Sequence, residues 1–169
     1  MESDEFQFMR LALAAAKEAA VKEEVPVGAV VVYAGEVVGE GHNQREATQS
    51  ALGHAEIAAI EQASTHLGSW CLSECDIYVT LEPCIMCVGA ILQARMRRLV
   101  FGCLDPKAGA VESLYRLCED QRLNHQLPAT GGVLASEAGA MLAEFFQRLR
   151  ERKRHTQKAE RWPSPVEGA

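Results

Sequence analysis

One valine-rich stretch does most to limit the possible folds. Val27 to Tyr33 carries four valines and a tyrosine in seven residues, a composition suited to a buried strand. Ala34-Gly35 supplies a turn, and Glu36 to Gly41 continues as a second strand, so the two form a hairpin. After the hairpin the pattern changes. Strands at Ile77 to Leu81 and Leu99 to Phe101 alternate with helical stretches at His54 to Ala63 and Cys84 to Ala94, while Asn43 to Gly53 is polar and loop-like. Ahead of the hairpin, Phe6, Met9, Leu13 and Ala16 recur at helical spacing in an amphipathic helix from Asp4 to Ala20. The order αββαβαβ calls for a central sheet covered by helices on both faces. Gly131-Gly132 precedes a last long helix, expected from an N-cap at Ser136 to about Lys153.

A chain of 169 residues is long enough to enclose one core, and 48% hydrophobic with 24% charged residues excludes disordered, collagenous and disulfide-rich classes. The expected organisation is one domain over residues 1–154 and a disordered tail over 155–169, where Trp162-Pro163-Ser164-Pro165 has no periodic pattern. The longest apolar runs, Ala29 to Val32 and Val88 to Leu92, fall far short of the roughly 20 residues of a membrane span. The start Met1-Glu2-Ser3-Asp4-Glu5 is acidic and lacks the basic beginning of a secretory signal, so a cytoplasmic location is expected. In a reducing compartment, six cysteines are not read as three disulfides: Cys84 and Cys87 point to metal or redox chemistry, and the other four to small buried hydrophobes.

The net charge of −6 is unevenly distributed. Between Arg148 and Arg161, seven basic residues face only Glu151 and Glu160, a local balance of +5 that leaves −11 on the rest of the chain. Such a segment is either a solvated helix end, favoured by the helix dipole, or an arm that touches phosphate.

The chemistry resides in His54-Ala55-Glu56 and Pro83-Cys84-Ile85-Met86-Cys87. Cysteines three apart at a helix start face the same way, with Pro83 suited to the first turn. The positive end of the helix dipole lowers thiol pKa, which keeps the sulfurs ionised as ligands. His54 supplies a third ligand from the start of its own helix. Three protein ligands leave one tetrahedral position for water, the mark of catalytic zinc, and zinc brings the pKa of such a water from 15.7 to about 7. Glu56, two residues past the ligand, is close to that water without binding metal. It is the expected general acid/base, taking the water's proton and handing it on.

Two other readings compete. Cys71 and Cys75 with Cys84 and Cys87 would make a closed Cys₄ structural zinc module, and Cys84 and Cys87 alone a thioredoxin-like redox pair. Neither accounts for His54 and Glu56. The combination of His-x-Glu with Pro-Cys-x-x-Cys is the known signature of zinc-dependent nucleobase deaminases, and bacterial tRNA adenosine deaminases are among the proteins that define it.

The resemblance extends beyond the metal motif. Thr80 to Ala90, Val100 to Ala110, Pro26-Val27-Gly28-Ala29-Val30, Gly41-His42-Asn43, Asn124-His125 and Phe145-Phe146 together resemble the bacterial tRNA-specific adenosine deaminase family over nearly all of residues 5–152. That resemblance implies a three-layer α/β/α cytidine deaminase-like fold with a central mixed five-stranded sheet, one Zn²⁺ per chain and a homodimer. It implies hydrolysis of adenosine to inosine at the wobble position of a tRNA anticodon stem-loop, by attack of zinc-activated water on C6. By position, Asn43 would hydrogen-bond the purine, Val27 and Leu81 would shape the base pocket, and Arg45, Asp105, Lys107, Asn124, His125 and Phe145 would contact flanking nucleotides. The apolar run Val88 to Leu92 is the expected dimer surface. Two departures stand out: Ala51-Leu52-Gly53 where the family usually carries Pro-Thr-Ala before the His-Ala-Glu, and Pro106 between Asp105 and Lys107. A small-molecule deaminase of guanine or a cytosine nucleotide on the same scaffold is the alternative enzyme.

Overall fold

The computed structural model describes residues 4–161. Five strands form one sheet in the order β2-β1-β3-β4-β5. β1 (Gly28–Tyr33) pairs antiparallel with β2 (Glu36–His42) and with β3 (Cys75–Leu81); β3 pairs parallel with β4 (Arg98–Cys103), and β4 with β5 (Ala129–Thr130). The mixed five-stranded sheet expected from the resemblance is therefore present. Its fifth strand has only two residues and carries no strand pattern in the sequence.

Strand alternation divides the core into two layers. Ala29, Val31, Ile77, Val79, Leu99 and Phe101 point to one face, against α3 (Ala55–Leu67) and α4 (Ile85–Gln93). Val30, Val32, Tyr78 and Val100 point to the other, where Met9 and Ala12 of α1 (Asp4–Val21) meet them. β3 is buried along nearly its whole length, as a central strand covered on both faces must be. The three-layer α/β/α arrangement follows.

α3 lies unusually close to β2. A Cβ at Gly41 would collide with the Ala55 carbonyl, and one at Gly39 with the Ala59 carbonyl. Glycine on the strand and alanine on the helix, with Ala55, Ala59 and Ala63 all 0% exposed, let the two backbones touch. This contact fixes the start of α3, and hence His54 and Glu56, against the sheet.

Several boundaries differ from the sequence expectation. Within the stretch read as loop, Arg45–Thr48 forms a one-turn helix, α2, too short to show periodicity. α3 continues to Leu67 and is stopped by Gly68 in the left-handed region at φ 64°. The last helix, α5, runs Ala135–Arg161. Ser136 is thus inside the helix and not its N-cap; the residue before the helix is Leu134, at φ 52°. The helix also passes Lys153, so residues 155–161, expected in the tail, are helical. Arg, Lys, Gln, Glu and Ala sustain a helix by propensity where no apolar period is visible, helped by Arg148 bonded to Glu144 one turn earlier at 2.7 Å. The remainder of the expected tail, 162–169, lies outside the described residues.

Candidate active site

The site forms beyond the carboxyl ends of the parallel pair β3 and β4, where open α/β sheets place their ligands. His54 is the N-cap of α3 and Cys84 the N-cap of α4, both with extended backbone, and neither side chain caps its own helix. Both side chains are thereby left to point at each other across the sheet end. Pro83 consequently sits just before the cap, not in the first turn as expected, and Cys87 lies in the first turn proper. His54 Nδ1 is 3.4 Å from Cys87 Sγ and 3.7 Å from Cys84 Sγ. All three ligand atoms lie within 4.8 Å of one another. A tetrahedral zinc with Zn–S about 2.3 Å and Zn–N about 2.0 Å has N···S edges of about 3.5 Å, so the cluster already has the spacing the ion requires. Two thiolates and an imidazole are also the donor types zinc selects.

This geometry rules out the Cys₄ module. Cys75 begins β3 and Cys84 lies beyond its far end, and the seven-residue strand between them spans roughly 20 Å at about 3.3 Å per residue.

Charge at the cluster follows from hydrogen bonding. The Cys87 thiol and His54 both bond to Cys84 Sγ and bring its pKa down to about 4, against the upward push of burial. Cys87 is raised in turn, first by that same bond and then by burial. His54 is raised above the ordinary imidazole value, chiefly by its bond to Cys84. Glu56 is only 4% exposed. Burial pushes its carboxyl above the usual carboxylate range, the Cys84 sulfur adds to the rise, and a backbone hydrogen bond and His54 oppose it. A carboxyl poised in this way holds and releases a proton nearer neutrality than an exposed glutamate does.

A cleft of about 220 Å³ opens onto the cluster, lined by Val25, Val27, Asn43, Arg45, His54, Ala55, Glu56, Leu81, Glu82, Cys84, Asp105 and Ala108. It is smaller than the roughly 300–1,000 Å³ typical of drug-sized ligands, which suits one planar base. The antiparallel register Ala29↔Val79 sets Val27 beside Leu81 on its wall. Asn43 donates from Nδ2 to the Val25 carbonyl at 3.2 Å and accepts the Arg45 amide at 3.2 Å, leaving one amide hydrogen and one lone pair for a ligand.

The other expected contacts lie outside the cleft. Lys107 and Asn124 are exposed. His125 donates from Nε2 to the Met96 carbonyl at 2.8 Å, which holds it and Asn124 beside the amino end of β4, the opposite end of the strand from the cleft, and not at the position expected for a substrate contact. Phe145 stacks edge-on against Phe146, their centroids 5.6 Å apart. The dimer argument from Val88 to Leu92 does not hold as made, because Val88, Ile91 and Leu92 belong to the chain's own core.

Sequence reasoning passed over two buried carboxylates, Glu24 and Glu82, which are 2% and 1% exposed. Glu24 accepts the amides of Glu46 and Ala47 at 3.2 and 2.7 Å and so caps α2 beside Asn43. Burial would raise Glu82, but the Ser113 hydroxyl and the amides of Glu112, Asp105 and Ser113 overcome it and hold the carboxyl at about 2. Only the acidic residue next to Pro83 in an otherwise strand-like run hinted at this.

Fold and site together define a hydrolytic nucleobase deaminase of the cytidine deaminase-like class. A family model described as MafB19-like deaminase matches residues 3–150. The tRNA-specific adenosine deaminase of Bacillus subtilis (strain 168) is 44% identical over 158 residues, covering 94% of this chain and 98% of that protein. A structure solved in work on A-to-I editing by tRNA:A34 deaminases at the wobble position of transfer RNA matches with a TM-score of 0.78 at 43% identity, covering 80% of this chain and 99% of that one. A guanine deaminase from Nitrosomonas europaea matches with a TM-score of 0.68 at 23% identity, over 83% of each chain, a likeness of fold alone. The chain belongs to the tRNA-specific adenosine deaminase family.

Proposed function

We propose that this protein deaminates adenosine to inosine at the wobble position of a tRNA anticodon, consuming water and releasing ammonia. The observation that carries the reading is the base-sized cleft in which His54, Cys84 and Cys87 converge beside a buried Glu56, in a chain 44% identical to a named tRNA-specific adenosine deaminase.

His54 Nδ1 and the Cys84 and Cys87 sulfurs would hold one Zn²⁺ per chain. When bound, zinc supplies the Lewis acidity that brings the pKa of a coordinated water towards 7. Glu56 takes a proton from the attacking water and passes it to a ring nitrogen of the adenine, then takes the second proton from the hydroxyl now on C6 and gives it to the amino group, so that the C6–N bond breaks with release of ammonia and C6 becomes a carbonyl. Val27 and Leu81 flank the base and shut out bulk water, and Asn43 uses its free amide hydrogen and lone pair to orient the purine. Asp105 and Arg45 at the rim, with Lys107 and Phe145 farther out, engage the flanking nucleotides; Asn124 and His125, held beside the amino end of β4, are at the opposite end of the sheet and do not reach nucleotides next to the base. Each base stacked on an aromatic ring contributes about 1–3 kcal/mol, and an anticodon loop presents bases that are already partly unstacked.

Two further features belong to this reading. The protein acts as a homodimer in the cytoplasm. No helix among the described residues is long and apolar enough to cross a membrane. Sedimentation is expected to give about twice 18.5 kDa, and a monomer at micromolar concentration contradicts the dimer. Ammonia release measured across free bases, nucleosides and anticodon stem-loops tests the substrate: rapid release from the adenosine-34 stem-loop alone is expected. Equal turnover of guanine or a cytosine nucleotide points to the small-molecule alternative.

A further inference from the structure

Glu82 occupies the turn between β3 and Cys84, fully enclosed, and its carboxylate is a hub for backbone donors. Oε1 accepts the amides of Val111, Glu112 and Ser113 at 3.1, 2.7 and 2.9 Å. Oε2 accepts the Asp105 amide at 2.9 Å and the Ser113 hydroxyl at 2.5 Å. Five donors from one loop converge on one side chain. The loop closes on itself around that point, with the Gly109 amide bonded to the Asp105 carbonyl and the Leu114 amide to the Gly109 carbonyl. Gly109 packs so tightly on the carboxylate that any Cβ there would overlap it.

The same turn is bonded to the loop through its backbone. Ala110 donates to the Pro83 carbonyl at 2.9 Å, Glu82 donates to the Cys103 carbonyl at 2.8 Å, and Cys84 bridges to Gly109. One side chain thus ties the ligand-bearing turn to the segment that brings Asp105 and Ala108 to the cleft wall. An irregular loop has no sheet or helix ladder to satisfy its amides, and a buried amide without an acceptor is costly. The carboxylate takes the place of that ladder.

We infer that Glu82 is a positioning residue for substrate: by holding the amides of residues 105–113 it keeps the Asp105–Ala108 wall in register with Cys84, and so sets how tightly the substrate nucleotide is bound. This rests on the deaminase reading above for the identity of that substrate.

The chemistry of glutamine makes the test specific. In Glu82→Gln the amide oxygen can still serve the three donors at the Oε1 position, and the Ser113 hydroxyl can rotate to accept. The new NH₂ group then faces the Asp105 amide, donor against donor. The Asp105 amide is expected to exchange its hydrogen about 10-fold faster or more, with exchange along β1 and β3 unchanged. The KM for an adenosine-34 stem-loop is expected to rise by about 10-fold, with kcat within about 3-fold of wild type and zinc content equal. Ser113→Ala, which removes one of the five donors and leaves the four amides, should raise KM by about 3-fold.

A fall in kcat at unchanged KM would assign Glu82 to the metal cluster or the reacting atoms and overturn the inference, as would unchanged Asp105 exchange. If Glu82→Gln does not fold, Ser113→Ala decides: a raised KM with kcat kept supports the inference, and an unchanged KM overturns it. If the wild type fails to act on the stem-loop, the substrate assignment is wrong, and amide exchange in the ligand-free variant still decides the role of Glu82.

Discussion

Replacing Glu56 with glutamine separates proton transfer from every other duty of the site. The side chain is 4% exposed and is not among the three residues clustered at metal-binding distance, so glutamine fills the same space and leaves His54, Cys84 and Cys87 untouched. What it cannot do is accept a proton. Positioned acid/base groups contribute about 10²- to 10⁴-fold in rate, equivalent to about 3–5 kcal/mol of barrier. The expected result is a kcat for stem-loop deamination at least about 10²-fold below wild type with one zinc still bound. Stability should move the other way. Burial disfavours a charged carboxylate at this position, and the neighbouring Cys84 sulfur adds to that, so in zinc-free protein a neutral isostere should leave Tm equal or higher. Single-turnover inosine formation, elemental analysis for zinc and a thermal melt read the three quantities separately. A variant that keeps more than about a tenth of wild-type kcat would refute the proton-transfer role; one that loses zinc would refute the separation of Glu56 from the ligand set.

Protein purified without chelator should carry one zinc per chain, and His54→Ala should release it, as measured by elemental analysis before and after dialysis against a chelator. Gly41→Val should cost at least about 1–3 kcal/mol by forcing a side chain into the Ala55 backbone, seen as a fall of roughly 2–12 °C in Tm; an unchanged Tm would mean that the close approach of α3 and β2 is not required. Lys107→Ala and Phe145→Ala should each weaken stem-loop deamination with zinc content unchanged, and raising salt should weaken RNA binding further as phosphate contacts are screened, read by filter binding across a salt series.

Element order and the cluster of His54, Cys84 and Cys87 were legible in the sequence because each leaves a short-range signal. Strand alternation at Val27 to Tyr33, helical spacing from Phe6 to Ala16, and a proline beside a Cys-x-x-Cys are all local. Features set by long-range contact were not visible. β5 is only Ala129-Thr130, recruited by pairing with Leu99 and Val100, and nothing in two residues announces a strand. The outer turns of α5 carry no apolar face, so periodicity ended at Lys153 although propensity did not. Glu24 and Glu82 act by accepting backbone amides 22 to 31 residues away, a role that residue type and spacing do not encode. The supposed dimer run failed for a related reason: an apolar stretch on a helix packed against a sheet goes first to the chain's own core.

The central claim is that this active site acts on one adenosine in one structural setting. Incubating a pool of unmodified tRNA with the purified protein and mapping inosine by reverse transcription, where inosine is copied as guanosine, tests it directly. The account predicts A-to-G changes confined to the wobble position of an adenosine-34 tRNA, absent with Glu56→Gln. Changes scattered over many adenosines, or none at all while free guanine or a cytosine nucleotide releases ammonia, would contradict it.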